Sequence, residues 1–119
     1  MDGLRELGRR GEERAVEYLR RRGYRILERN YQTREGELDI VAKQGDALVF
    51  VEVKTARSLS FGHPRGWVSR RKRAHLFRAA LAYMTEMGNL EANCRFDVIA
   101  IVIGAKKITL THIPDAFPR

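Results

Sequence analysis

Two residues in the segment VFVEVKT (49–55) do not suit the strand that carries them. Val49, Phe50, Val51 and Val53 are the β-branched and aromatic residues of a buried β-strand. Glu52 and Lys54 interrupt that run and share one face with Leu48 and Phe50. Charges enter a buried strand when they are paired or occupied. The preceding strand candidate, GELDIVAK (36–43), carries Asp39, and a short turn between the two would set Asp39 beside Glu52. Two carboxylates meeting in this way make a hard, oxygen-rich site suited to Mg²⁺ or Mn²⁺. Such an ion polarises a phosphodiester and lowers the pKa of a bound water. The Lys54 ammonium beside it would stabilise charge developing on phosphate oxygens or orient the attacking water.

A third carboxylate comes from the N-terminal helix. Leu4, Gly8, Ala15, Val16 and Leu19 form a narrow stripe at spacings of three, four and seven. Glu12 falls on that stripe, whereas Glu13 and Glu17 fall on the Arg-rich outer face. Gly8 and Gly11 each cost the helix about 1 kcal/mol relative to Ala, which is explicable if backbone or substrate approaches closely there. An isolated Glu-x-Lys is as a rule a cross-strand ion pair of nearly neutral energy. The Asp in the neighbouring strand, the striped helix Glu and a basic second helix set this one apart.

The elements that must position these residues follow from the pattern. Residues 3–22 read as a helix stopped by Gly23. Strands are predicted at 24–31, 36–43 and 47–54, with turns at TREG (33–36) and QGD (44–46), giving an antiparallel meander. SLSFGHPRG (58–66) reads as a loop, 68–88 as a second helix closed by Gly88, and 95–103 and 106–113 as two further strands. The order αβββαββ gives an α/β fold, a central sheet flanked by helices. At 119 residues, with no repeat or linker, residues 1–119 read as a single domain.

The balance of 23 Lys+Arg against 15 Asp+Glu leaves a net charge of +8 and points to a polyanionic partner, nucleic acid first. Arg65, Arg70, Arg71, Lys72 and Arg73 cluster at the start of the second helix, where cations oppose the helix dipole. Phosphates would offset that opposition, so these five are the candidate nucleic-acid contacts. No apolar run approaches the roughly 18–20 residues of a membrane span, the N-terminus lacks a secretory signal, and Cys94 is the single cysteine. The expected setting is therefore cytoplasmic, without a membrane partner. His63, His75 and His112 lack metal-ligand spacing. Asp97 reads as a structural hydrogen-bonding residue, and Trp67 as a loop anchor able to stack on a base.

An ordered series of motifs resembles a known family. Gly8, Gly11, Glu12 and Ala15 are followed by GYRILERNY (23–31), GELDI (36–40), VFVEVKT (49–55), Phe61-Gly62, RFDVIAI (95–101) and HIPDAF (112–117). Together they resemble the YraN-like family of small bacterial proteins, similar to archaeal Holliday junction resolvases in the restriction-endonuclease-like superfamily. The resemblance implies an αβββαβ core with a mixed central sheet and a Glu…Asp…Glu-x-Lys metal site. Carried over by position, Glu12, Asp39, Glu52 and Lys54 would be catalytic, with Glu12, Asp39 and Glu52 holding Mg²⁺ or Mn²⁺. Glu37 belongs to the same motif and ranks behind them. Where the family usually continues VEVKT with Arg, this chain has Ala56 and then Arg57. The implied activity is metal-dependent hydrolysis of phosphodiesters in branched or structured DNA. Since such DNA has two equivalent strands, it would act as a symmetric homodimer. The alternative is a nucleic-acid-binding module that keeps the fold without the turnover.

Overall fold

A computed structural model describes residues 3–57 and 64–117. Helix α1 (Gly3–Arg21) leads into strands β1 (Arg25–Thr33), β2 (Gly36–Gln44) and β3 (Ala47–Ala56). A 3-10 turn at Pro64–Trp67 precedes helix α2 (Arg70–Glu86), and β4 (Asn93–Ile103) and β5 (Ile108–Ile113) complete the sheet. The motif residues Phe61 and Gly62 and the neighbouring His63 lie outside the described residues, as do the side chains of Leu4 and Arg65.

Both helices stop where the sequence puts a glycine. Gly23 at φ +87° and Gly88 at φ +69° occupy the left-handed region that ends a helix. Around Gly23, the Tyr24 N–H donates to the Leu19 carbonyl and the Gly23 N–H to that of Arg20. Asn89 and Gly88 make the same pair of bonds to Met84 and Thr85. Helix α2 starts at Ser69, whose hydroxyl accepts the Lys72 N–H at 3.1 Å.

The sheet runs β1-β2-β3-β4-β5. The first three strands form the expected antiparallel meander, β4 joins β3 in parallel after the α2 crossover, and β5 returns antiparallel. This is the αβββαβ core with one added strand. Because side chains alternate along β3, Val49 and Val51 face α1 and pack with Ala15, Val16 and Leu19. Leu48 and Phe50 face α2 and pack with Leu76, Ala80 and Tyr83. No helix among the described residues is long and apolar enough to cross a membrane.

Helix α1 buries Ala15, Val16 and Leu19 of the expected stripe, and departs from it at Gly8. Leu7 and Gly11 are buried with Ala15, Val16 and Leu19, while Gly8 is exposed. Close packing at Gly11 explains the difference. A Cβ there would stand 2.0 Å from Oγ1 and 3.0 Å from Cβ of Thr55, so the helix rests directly on the end of β3. The second buried polar anchor is Asp97, which is 0 % exposed. It accepts hydrogen bonds from the Arg95 Nε at 2.9 Å, the Asp115 N–H at 3.0 Å and the His112 Nε2 at 2.7 Å. In the neutral ring, Nδ1 of His112 is then the acceptor for the Tyr18 hydroxyl, 3.0 Å away. Burial pushes the Asp97 carboxyl up, but the His112 and Arg95 hydrogen bonds outweigh it and hold it below its ordinary value. The structural role expected of Asp97 is the one it has.

The two helix glycines should respond oppositely to alanine. Gly8→Ala meets nothing within 4 Å and should gain about 1 kcal/mol from helix propensity alone. Gly11→Ala forces a β-branched, stiff neighbour to move and should lose about 1–3 kcal/mol. Urea denaturation of both variants checks this; equal effects of the same sign would refute the close packing.

Candidate metal and phosphate site

The ladder between β2 and β3 ends at the pair Ile40–Val51. Continued by one residue, the same register sets Asp39 opposite Glu52, as the turn length predicts. The strands part there instead, and the Val53 N–H donates to Asp39 Oδ2 at 2.9 Å. A side chain has taken the place of a backbone rung.

The irregularity has a visible cause on the other side of β2. Asn30 sits at φ +51°, between the β1–β2 pairs Arg29–Ile40 and Tyr31–Leu38. Leu38 and Ile40 consequently fall in different cores, Leu38 towards α2 and Ile40 towards α1. Strict alternation would have put them on one face, so the expected face pattern of β2 fails at Asp39. Glu37 turns away and accepts a hydrogen bond from Gln32.

Glu52 is only 4 % exposed, and its Oε1 is buried without a hydrogen-bond donor among the described residues. Its Oε2 faces two ammonium groups, Lys54 Nζ at 3.8 Å and Lys72 Nζ at 3.7 Å. Burial pushes the Asp39 carboxyl up to about 7, and the negative charge of Glu52 adds to the rise. The Val53 N–H works against that rise, while a hydrogen bond to Glu52 and the more distant charge of Glu12 reinforce it. Asp39 thus prefers to keep its proton while the Glu52 carboxylate stands beside it.

Glu12 is half-buried near this pair but points to β1. Its Oε1 accepts from Asn30 Nδ2 at 2.8 Å and from Arg29 Nη2 at 3.3 Å. Arg29 also binds Glu13, and that contact is the main reason its guanidinium holds its proton more tightly than usual. Among the described residues, no three His, Cys, Asp or Glu side chains converge as a ready metal-ligand set. The structure therefore brings Asp39, Glu52 and Lys54 together and leaves Glu12 tied at the margin.

The basic cluster divides by direction. Arg70 and Arg71 are exposed at the start of α2. Lys72 reaches inward to Glu52, and the Arg73 guanidinium lies over the Phe117 ring at 5.6 Å. Sequence reasoning placed Lys72 among the phosphate contacts and missed it as a partner of Glu52. Its place at the third position after the Ser69 cap was the available signal, because that position turns back over the strand ends.

A three-layered α/β domain with a carboxylate pair and two lysines at the parting of two central strands is the class that fold and site define. The chain belongs to the family described as "Uncharacterised protein family UPF0102", the YraN-like family of the sequence resemblance, whose model matches residues 11–101. That span contains Glu12, Asp39, Glu52, Lys54 and Lys72. The chain is 48% identical over 113 residues to a UPF0102 protein of Syntrophomonas wolfei, covering 95% of this chain and 98% of that one. It is 46% identical over 117 residues to a UPF0102 protein of Chlorobium limicola, covering 93% and 91%. A UPF0102 protein of Geobacter metallireducens is 45% identical over 113 residues, covering 95% and 93%.

The proton held at Asp39 has a consequence for stability. The folded chain holds the Asp39 proton up to about pH 7, whereas the ordinary value is 3.8. Stability should therefore fall as pH rises between these values and level off above them. In EDTA, Asp39→Asn should remove most of the loss in urea midpoint that wild type shows between pH 5 and pH 8. An identical slope in the variant would rule out a proton held at Asp39.

Proposed function

We propose that this protein is a metal-dependent endonuclease that hydrolyses phosphodiesters, acting on DNA of branched or otherwise structured form. The observation that carries the reading is the Glu52 carboxylate, buried with one oxygen lacking a donor among the described residues while Asp39 beside it is pushed up to about 7. Two acids crowded in a sheet, with a proton where a cation could stand, suit a hard divalent ion. Asp39 and Glu52 would hold Mg²⁺ or Mn²⁺, and Glu12 would join them only by leaving Asn30. When bound, the ion supplies polarisation of a phosphoryl oxygen and a water of lowered pKa.

The chain's own residues supply the rest. Lys54 is 38% exposed at its side chain and sits 3.8 Å from Glu52, so its ammonium can face both the acid and a phosphate. A protonated amine has no lone pair for a metal, and its part is to stabilise charge as it develops on phosphate oxygens. The Val53 N–H fixes the orientation of the Asp39 carboxylate. Arg70 and Arg71, exposed on the same helix start as Lys72, would neutralise flanking phosphates and release their counterions.

A second reading, a module that binds nucleic acid without cutting it, draws on the position of Glu12, which engages Arg29 and Asn30 rather than the acid pair. Cleavage assays on single-stranded, duplex, flap and four-way DNA with Mg²⁺, Mn²⁺ or EDTA separate the two. Wild type should cut at least one form in the presence of metal. Glu52→Ala should abolish cutting, and Lys54→Met should slow it about a hundredfold or more at saturating DNA. Binding without cleavage of any form, with either metal, would favour the second reading. Wild-type rates in Lys54→Met would reduce Lys54 to half of an ion pair.

A further inference from the structure

Beyond the acid pair, the end of β3 opens into a cleft of about 390 Å³ lined by Lys54, Thr55, Ala56, Gly66 and Trp67. Clefts of roughly 300–1,000 Å³ are the size that small organic groups occupy. The lining is chemically specific. Among the described lining residues there are one ammonium and one indole, and none is acidic. A ligand matched to that set carries an anion and a flat ring. A nucleotide has both.

The cleft is braced on two sides. Thr55 is held by α1, because its Oγ1 lies against Gly11 with no space for a Cβ between them. Trp67 is half-buried at the end of the 3-10 turn, followed by Val68 at 3% exposure in the α2-side core and by Ser69, the cap of α2. The indole therefore belongs to a short turn anchored at the start of α2. Lys54 joins this cleft to the acid pair, since its ammonium is also 3.8 Å from Glu52.

A base within a continuous duplex has both faces covered by its neighbours, so an aromatic side chain stacks only on a base released from the stack. We propose that this cleft takes a single unpaired deoxynucleotide, its base against the Trp67 indole and its phosphate beside Lys54. The centre is thereby directed to DNA with unpaired nucleotides at the cut, such as a flap or single strand, over continuous duplex. The direction of cutting rests on the hydrolytic reading above; the binding does not.

Trp67 is the only tryptophan of the chain, so its emission reports the cleft directly. The full chain in EDTA is titrated with a short single strand, with a blunt duplex of the same sequence, and with that duplex bearing a flap. The single strand and the flap should quench the emission, and the blunt duplex should not. Trp67→Ala should weaken binding of the single strand and flap about tenfold and leave the duplex unchanged. Trp67→Phe keeps a ring and should retain most of the preference, which keeps the test informative if the alanine variant folds poorly. Unchanged emission at saturating single strand overturns the proposal, as does an equal loss of affinity for all three forms in Trp67→Ala. Quenching by unpaired DNA that wild type never cleaves would leave the cleft standing and remove the hydrolytic reading. Cleavage without quenching would do the reverse.

Discussion

Two carboxylates meet where a strand ladder should have continued, and the rest of the molecule is arranged around that crowding. Past Ile40–Val51 the backbones of β2 and β3 stop pairing, and Asp39 uses its side chain to satisfy the Val53 N–H. A buried like-charged pair is unfavourable unless a proton, an ammonium or a metal ion stands against it. Two of these remedies are present. Asp39 retains a proton up to about pH 7, and Lys54 and Lys72 approach Glu52 from the strand and from α2. The third is the divalent ion we propose for the same oxygens.

The scaffold makes this arrangement tolerable because the apolar packing lies elsewhere. Val49 and Val51 are fixed against α1, and Leu48 and Phe50 against α2, so the first half of β3 is anchored on both faces before the charged residues begin. Helix α1 closes on the far end through Gly11 and Thr55. On the α1 side, the Asp97 cluster ties β4 to β5 through His112 and to α1 through Tyr18. Residues near the strand ends can then be chosen for charge rather than for packing, which is where function concentrates in sheets of this kind.

Much of this was legible in the sequence, and the exceptions share a cause. The element order, both helix stops and the meeting of Asp39 with Glu52 follow from hydrophobic period, glycine position and turn length. The stripe of α1 was right at Ala15, Val16 and Leu19 but put Gly8 where Gly11 is buried, because both glycines sit at helical spacing from an apolar residue and only the contact with Thr55 selects Gly11. Alternation along β2 fails at Asp39 because Asn30 adopts φ +51° in the neighbouring strand, a backbone feature that side-chain hydropathy does not encode. Glu12, Lys72 and Arg73 were each placed on the right element, but their partners Asn30, Glu52 and Phe117 come from distant parts of the chain. Sequence periodicity locates a side chain on a face; it does not say which way a long one bends.

The central claim is that the parting of β2 and β3 is a divalent-cation site, and Mn²⁺ reports position as well as binding. In an amide ¹H–¹⁵N spectrum of the free protein, substoichiometric Mn²⁺ should broaden the Val53 resonance first, because that N–H is bonded to Asp39, with the amides of Asp39 and Glu52 close behind. Excess Mg²⁺ should restore these signals. Broadening confined to the acidic outer face of α1, at Glu6, Glu13 and Glu17, with Val53 left sharp, would contradict the account.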